Sequence, residues 1–373
     1  MHFNQMGDSK MNRSRLTRMT GGLVLGLFLL FTGVMFAAGQ APAAAQSNTP
    51  VATSQGLPTH LGAVGSTSEM WRAVRHGIQG TTGLPDPKAG TLVQSEGDNL
   101  RAFRNGPLSL WGGWILLAAV VAVALFFALR GRIRIDAGLS GRTIERFNAL
   151  ERFTHWLTAV SFIVLALTGL NLLYGKIVLK PILGASAFAS LTAWGKYAHN
   201  YIAFAFMLGI VLMFVLWLRH NIPNLRDLKW LAMGGGLFSK GVHPPAAKFN
   251  AGQKIIFWAV ILGGGSISFS GLCLLFPYEL FPFAGTFKIL NAVGFDLPTM
   301  LTPLQETQLA LLWHGMVALI LIAVIIGHIY IGSLGMEGAL DAMTSGQVDE
   351  NWAHEHHSIW LDEARAKASG ADD

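Results

Sequence analysis

Residues 307–336 read TQLALLWHGMVALILIAVIIGHIYIGSLGM, thirty positions without one Asp, Glu, Lys or Arg. As a helix rising about 1.5 Å per residue, this stretch is long enough to cross the roughly 30 Å of hydrocarbon in a bilayer. Two histidines interrupt it, His314 and His328. Their fourteen-residue spacing corresponds to about 21 Å of rise. At about 100° per residue it brings the second ring back to within about 40° of the same face. Ionisable side chains at membrane depth are costly and point to function by default. Two on one face place two such sites at different depths of one bundle.

Working outward, residues 105–129, 153–175, 197–218 and 255–278 are equally free of charged side chains. Of the 373 residues, 52% are hydrophobic and 13% charged, where a soluble domain carries roughly 25% charge. We therefore expect an all-α membrane protein, a bundle of five transmembrane helices at about 109–129, 153–175, 197–218, 255–276 and 309–331. A net charge of +6 on such a chain does not indicate nucleic acid. Cys273 is the single cysteine, which excludes an intramolecular disulfide, a four-cysteine iron–sulfur or zinc site and the two-cysteine attachment of c-type haem. A redox cofactor held by this chain alone must hang on histidine or another non-thiolate ligand.

Residues 1–45 begin with Lys10, Arg13, Arg15 and Arg18, continue through the apolar run Gly21 to Ala38, and close on Ala43-Ala44-Ala45. This is the order of a signal peptide, with an uncleaved anchor helix as the rival reading. Either puts segment 46–108 on the outer, periplasmic side of a bacterial inner membrane. The loop after the first span then carries Arg130, Arg132, Arg134, Arg142, Arg146 and Arg152, and the loop after the third carries Arg219, Arg226, Lys229, Lys240, Lys248 and Lys254. The outer loops carry only Lys176, Lys180, Lys196 and Lys288. The positive-inside rule thus gives the same orientation from independent residues, and makes 337–373 a cytoplasmic tail of the transmembrane domain 109–336.

With that orientation His155 enters the second span at the inner face and His199 enters the third at the outer face. His314 then pairs by depth with His199, and His328 with His155. Two b-type haems, each between two histidines, account for an outer and an inner pair. The competing reading makes each histidine an interfacial or hydrogen-bonded residue. A zinc site fits poorly, since the pairs lie half a membrane apart. His354, His356 and His357 offer metal ligands in principle, against a surface role, and Cys273 reads as a small apolar side chain.

Several strings narrow the family: Glu151-Arg152-Phe153-Thr154-His155-Trp156, Tyr197-Ala198-His199, His220-Asn221-Ile222-Pro223, Phe249-Asn250-Ala251-Gly252-Gln253-Lys254, Leu312-Trp313-His314-Gly315 and Gly327-His328-Ile329-Tyr330. Over about residues 143–365 the chain resembles the gamma, or cytochrome b, subunit of membrane-bound respiratory formate dehydrogenase. The leader, the outer segment and the first span depart from the shorter form of that family, leaving a four-helix di-haem core plus one extra helix. The resemblance implies an anchor that takes electrons from an iron–sulfur beta subunit, itself fed by a molybdenum or tungsten alpha subunit, and reduces quinone. It implies haem ligation by His155, His199, His314 and His328 in the same pairs, and a quinone pocket at Asn250, Gly252 and Gln253. Those three residues have a second reading, in which Asn250 caps the fourth span and Gly252 and Gln253 lie in its first turn.

No thiolate set or pterin motif is present, so formate oxidation belongs to partners rather than to this chain. Arg146 and Arg152 are placed to pair with haem propionates or simply to hold their loop inside. Alternatives of function are the cytochrome b subunit of a hydrogenase or of another molybdenum oxidoreductase, a stand-alone di-haem membrane reductase, and a haem-free anchor.

Overall fold

The computed structural model describes residues 100–239 and 241–369; the expected leader, 1–45, and most of segment 46–108 lie outside the described residues. In chain order the elements are α1 (Leu100–Arg130), β1 (Thr143–Glu145), α2 (Ala149–Val178), α3 (Lys180–His220), α4 (Leu225–Ala232), α5 (Ala251–Leu275), α6 (Pro282–Asn291), α7 (Pro303–Gly335), α8 (Asp341–Thr344), β2 (Gln347–Asp349) and α9 (Glu350–Ser369). Helices α1, α2, α3, α5 and α7 are long and apolar enough to cross a membrane. They are the five expected spans.

The helices outrun the apolar windows from which they were read. α1 is already helical at Leu100, the first described residue, rather than starting near 109, and passes through a π turn at Arg104–Leu108 that contains Pro107. Proline has no N–H to give a regular turn, and the wider turn absorbs it. Segment 46–108 therefore ends inside a helix. The outer loop expected between the second and third spans is also helical; Gly184, at φ 77°, lets the chain change direction there. Charge-free windows mark hydrocarbon depth, and a helix need not stop where the hydrocarbon does.

Helix starts follow local chemistry. α2, α5 and α7 each open on a reciprocal capping box, Asn148 with Glu151, Asn250 with Gln253, and Thr302 with Gln305, the last with Pro at the first helical position. Each box satisfies backbone N–H groups that the first turn leaves over.

α7 packs on both α1 and α5, α5 on α3, and α3 along α2. α2, α3, α5 and α7 form the four-helix bundle, and α1 lies against its outside. Leu116 and Val120 of α1 share a buried cluster with Leu170 and Tyr174 of α2 and Leu319, Ile322 and Ile326 of α7. The Tyr174 hydroxyl donates to Ser109 O at 2.7 Å, tying α1 to α2. α2 and α3 are in close contact at Gly209, where a Cβ would overlap the Thr158 hydroxyl.

A second core closes one end of the bundle. It gathers Ile135 and Phe147 from the first basic loop, Met213 and Trp217 from α3, Phe249 and Phe257 around the start of α5, and Ala342, Val348, Trp352, Ala353, Trp360 and Leu361 from the C-terminal region. β1 and β2 pair antiparallel, Ile144 opposite Val348, and Ile133 bridges to Met336. The stretch expected to be a tail is thus part of a packed cap. His357 is 1% exposed and sits against Ala247 O at 2.8 Å, and His356 stacks on Trp352, so the surface reading of those two histidines is corrected; His354 is exposed.

Glu151 ties the first turn of α2 to this cap. Its carboxylate caps Asn148 N, accepts from Trp217 Nε1 at 2.9 Å and pairs with Lys248, and the residue is buried. Removing one member of such a buried set strands the others, at a cost of about 3–5 kcal/mol. Glu151→Ala should therefore lower the thermal midpoint in detergent markedly, whereas Glu363→Ala, at an exposed position, should leave it unchanged; equal midpoints for the two variants would refute the node.

Candidate functional site

Four membrane-depth histidines project from three of the bundle helices. His155 lies in the second turn of α2, His199 midway along α3, and His314 and His328 on α7. The imidazoles of His199 and His314 face each other with centroids 6.1 Å apart and planes at 60°, and those of His155 and His328 do so at 6.1 Å and 58°. α7 contributes one ring to each pair, as its fourteen-residue spacing requires.

The separation suits a shared metal. Two imidazole nitrogens, each about 2 Å from an ion, put their ring centroids a little over 6 Å apart. The hydrogen bonding around the outer pair leaves the right atoms for it. Thr168 Oγ1 donates to Val164 O at 2.7 Å and lies 2.8 Å from His199 Nδ1; Ser270 Oγ donates to Ile267 O at 3.0 Å and lies 3.1 Å from His314 Nδ1. A hydroxyl has a single proton; with it directed to the carbonyl, each oxygen accepts from Nδ1–H in the Nδ1-protonated tautomer. Nδ1 then carries the proton in both rings, and both Nε2 lone pairs stay available.

The residue after each hydroxyl is glycine. A Cβ on Gly169 would lie 3.5 Å from His199 Cε1, and one on Gly271 3.3 Å from His314 Cε1. Thr168-Gly169 on α2 and Ser270-Gly271 on α5 thus present the same device to the two outer rings: an acceptor and a gap. Neither dipeptide stands out in the sequence, because hydroxyl–glycine pairs are common in membrane helices and only their depth relative to the histidines distinguishes them. The inner pair lacks this device. His155 Nδ1 is buried with no hydrogen-bond partner among the described residues.

Asn250, Gly252 and Gln253 lie at the capped end of α5. Asn250 Oδ1 accepts from Gln253 N at 2.9 Å, and Gln253 Oε1 accepts from Asn250 N at 3.1 Å. The capping reading of these residues therefore describes their carbonyl oxygens, while their amide NH₂ groups make no hydrogen bond among the described residues. A Cβ on Gly252 would lie 3.1 Å from the Trp230 ring, so an aromatic edge from α4 covers this turn. Asn250 also borders a small cavity with Asp227, Trp230, Phe249 and Lys254.

Of the two arginines expected near the inner pair, Arg152 donates to Phe147 O at 2.9 Å. Arg146 is buried, donates to Lys248 O at 2.7 Å, and lies over the rings of Phe147, Trp352 and Trp360. Burial pushes its guanidinium down to about 9, against the pull of Glu151. Cys273 is buried and free, in keeping with a packing role.

Comparison with known proteins places this arrangement. Residues 146–346, which carry all four histidines, match the family model described as prokaryotic cytochrome b561. The chain is 31% identical over 224 residues to the cytochrome b556(fdo) subunit of formate dehydrogenase from Escherichia coli, covering 60% of this chain and 94% of that one. It is 27% identical over 232 residues to the cytochrome b556(Fdn) subunit of the nitrate-inducible formate dehydrogenase of the same organism, covering 61% and 95%. With the formate dehydrogenase cytochrome b556 subunit of Haemophilus influenzae it shares 26% identity over 224 residues, 59% and 83% of the two chains. With paired histidines inside a helical bundle and these relatives along the bundle's whole length, the chain belongs to the prokaryotic cytochrome b561 family of membrane b-type cytochromes, in the company of the formate dehydrogenase cytochrome b subunits.

Proposed function

We propose that this chain is the membrane-anchoring cytochrome b subunit of a formate dehydrogenase complex, carrying electrons from an iron–sulfur partner, through two haems, to quinone. The observation that carries the reading is the pair of histidine pairs, each 6.1 Å between centroids, strung on α7 at two levels. His199 and His314 would hold an outer b-type haem and His155 and His328 an inner one. Haem bound in these seats supplies reversible one-electron chemistry at histidine-ligated iron.

The chain's own residues do the remaining work. Thr168 and Ser270 fix the tautomer and rotation of the outer rings, and Gly169 and Gly271 leave room beside them. Apolar side chains of α2, α3, α5 and α7 keep water from the interior of the bundle, so that charge moves between the seats and not into solvent. The basic loops after α1 and α3 support a cytoplasmic position for the inner pair, in a bacterial inner membrane. A catalytic molybdenum or tungsten subunit and its iron–sulfur partner would then lie on the periplasmic side. Exposed Trp194, Tyr197 and Tyr201, midway along α3, suit the level of the outer interface.

Quinone would meet the inner seat near Asn250, Gly252 and Gln253. The capping box leaves two amide NH₂ groups to donate to quinone carbonyls, and Trp230 supplies a flat apolar wall. Carrying two electrons inward against roughly 150 mV costs about 7 kcal/mol, which the donor's oxidation must supply. Because quinone takes its protons from the cytoplasm, the transfer contributes to the protonmotive force.

A reduced-minus-oxidised spectrum of the full chain should contain a b-type alpha band, with two haems per chain by pyridine haemochrome assay. Replacing any one of His155, His199, His314 or His328 by Ala should remove one haem; an unchanged count in any variant would remove that residue from the ligand set. Thr168→Val should keep both haems and raise the potential of one of them, because a histidine that loses its Nδ1–H acceptor is a weaker electron donor to iron; an unmoved redox titration would contradict the role given to Thr168. Gln253→Glu keeps the capping oxygen but loses the NH₂, and should slow quinone reduction by the assembled complex at least about tenfold, near the 1.4 kcal/mol of one good hydrogen bond. Undiminished turnover would move the quinone site elsewhere.

A further inference from the structure

A second group of metal-ligating side chains lies in the cap, apart from the membrane histidines. The carboxylate of Asp136, in the loop after α1, the imidazole of His243, in the loop before α5, and the carboxylate of Glu355, on α9, bring one ligand atom each to within 4.8 Å of one another. Asp136 Oδ2 and His243 Nε2 are 3.1 Å apart, close to the edge of a tetrahedron whose centre is about 2 Å from each corner. Glu355 is 6% exposed and oriented from outside: both its oxygens accept from backbone N–H groups, Oε2 from Asp136 at 3.0 Å and Oε1 from Ala137 at 2.8 Å. Gly241 N donates to Asp136 Oδ2 at 3.0 Å. Two loops and a helix thus converge, with both carboxylates held by main chain.

A further imidazole lies just outside this three-donor group. His356, next to Glu355, has its ring 6.3 Å from that of His243, and its Nε2 is buried with no hydrogen-bond partner among the described residues. A buried imidazole nitrogen left unpaired is a cost that needs a reason. The charges balance as well: two carboxylates neutralise a dication beside buried Arg146.

We propose that Asp136, His243 and Glu355 form a binding site for a zinc-type divalent cation, with His356 turning in to complete the shell, a clasp joining the loop after α1, the loop before α5 and the C-terminal helix. Two imidazoles and two carboxylates are a donor set for zinc and its first-row neighbours, not for magnesium, which prefers oxygen ligands and its own water. The site is separate from the haem seats and does not depend on them. It holds closed the cap over the end of the bundle where Asn250 and Gln253 lie.

The test is zinc binding by the full haem-loaded chain in nanodiscs, purified without a polyhistidine tag and stripped with chelator. Titration with zinc against a chromophoric chelator should return one tight equivalent, untouched by millimolar magnesium. X-ray absorption of the bound zinc should give a shell of nitrogen and oxygen containing two imidazoles. His243→Ala replaces a partly exposed loop side chain, and should weaken zinc binding more than about tenfold, while leaving the haem spectrum and monodispersity of the wild type; losing a metal's supporting partner alone already costs that much. Asp136→Asn should do the same. The proposal is overturned if the wild type retains no zinc above empty nanodiscs, if His243→Ala binds zinc as tightly as the wild type, or if the bound zinc has fewer than two imidazoles.

Discussion

Four imidazoles that would be costly alone at membrane depth face one another in two pairs, and this pairing organises the bundle. α7 carries two of the rings at positions fourteen residues apart and so fixes both depth and face. α2 and α3 each bring one ring to meet it, and α5 brings the hydroxyl that turns His314. The helices that carry no paired histidine have other tasks: α5 supplies Ser270 and Gly271, while α1 lies outside the four and is sealed to them by Leu116, Val120 and the Tyr174 hydroxyl bond.

The two pairs share a centroid separation but not an environment. The outer rings each have a hydroxyl on Nδ1, whose proton is spent on the helix's own backbone. The inner ring of His155 has no such acceptor. On the proposed function, this difference is a means of setting two potentials with one ligand type. The cap adds a further asymmetry, since Glu151, Lys248, Arg146 and the C-terminal aromatics enclose only the end of the bundle that bears the basic loops. An electron carrier that must hand over at one side is served by having its two ends built differently.

Much of this was legible in the sequence, because hydrocarbon imposes few choices. A charge-free run of over twenty residues has one secondary structure open to it in a bilayer, and the basic residues of alternate loops give each helix an expected direction. From direction came depth, and from depth the grouping of His199 with His314 and of His155 with His328. What was not legible depended on contacts between segments far apart in the chain. The acidic stretch from Glu337 onward has no long apolar run and reads as a tail, yet Val348, Trp352 and Leu361 find partners in Phe147, Trp217 and Phe249 and become core. Thr168 and Ser270 look like ordinary helix-interior hydroxyls until the rings beside them are seen. Asn250 and Gln253 carried two readings, and the capping geometry shows that a cap uses only half of each amide.

The central claim is that two metal-bearing seats, and no third or half-formed one, lie between these four histidines. Low-temperature electron paramagnetic resonance of the oxidised full chain addresses it directly, since iron between two imidazoles is low-spin. The account predicts two low-spin ferric signals of comparable intensity and no high-spin haem signal. A single low-spin species, or a substantial high-spin signal from five-coordinate iron in the intact protein, would contradict it.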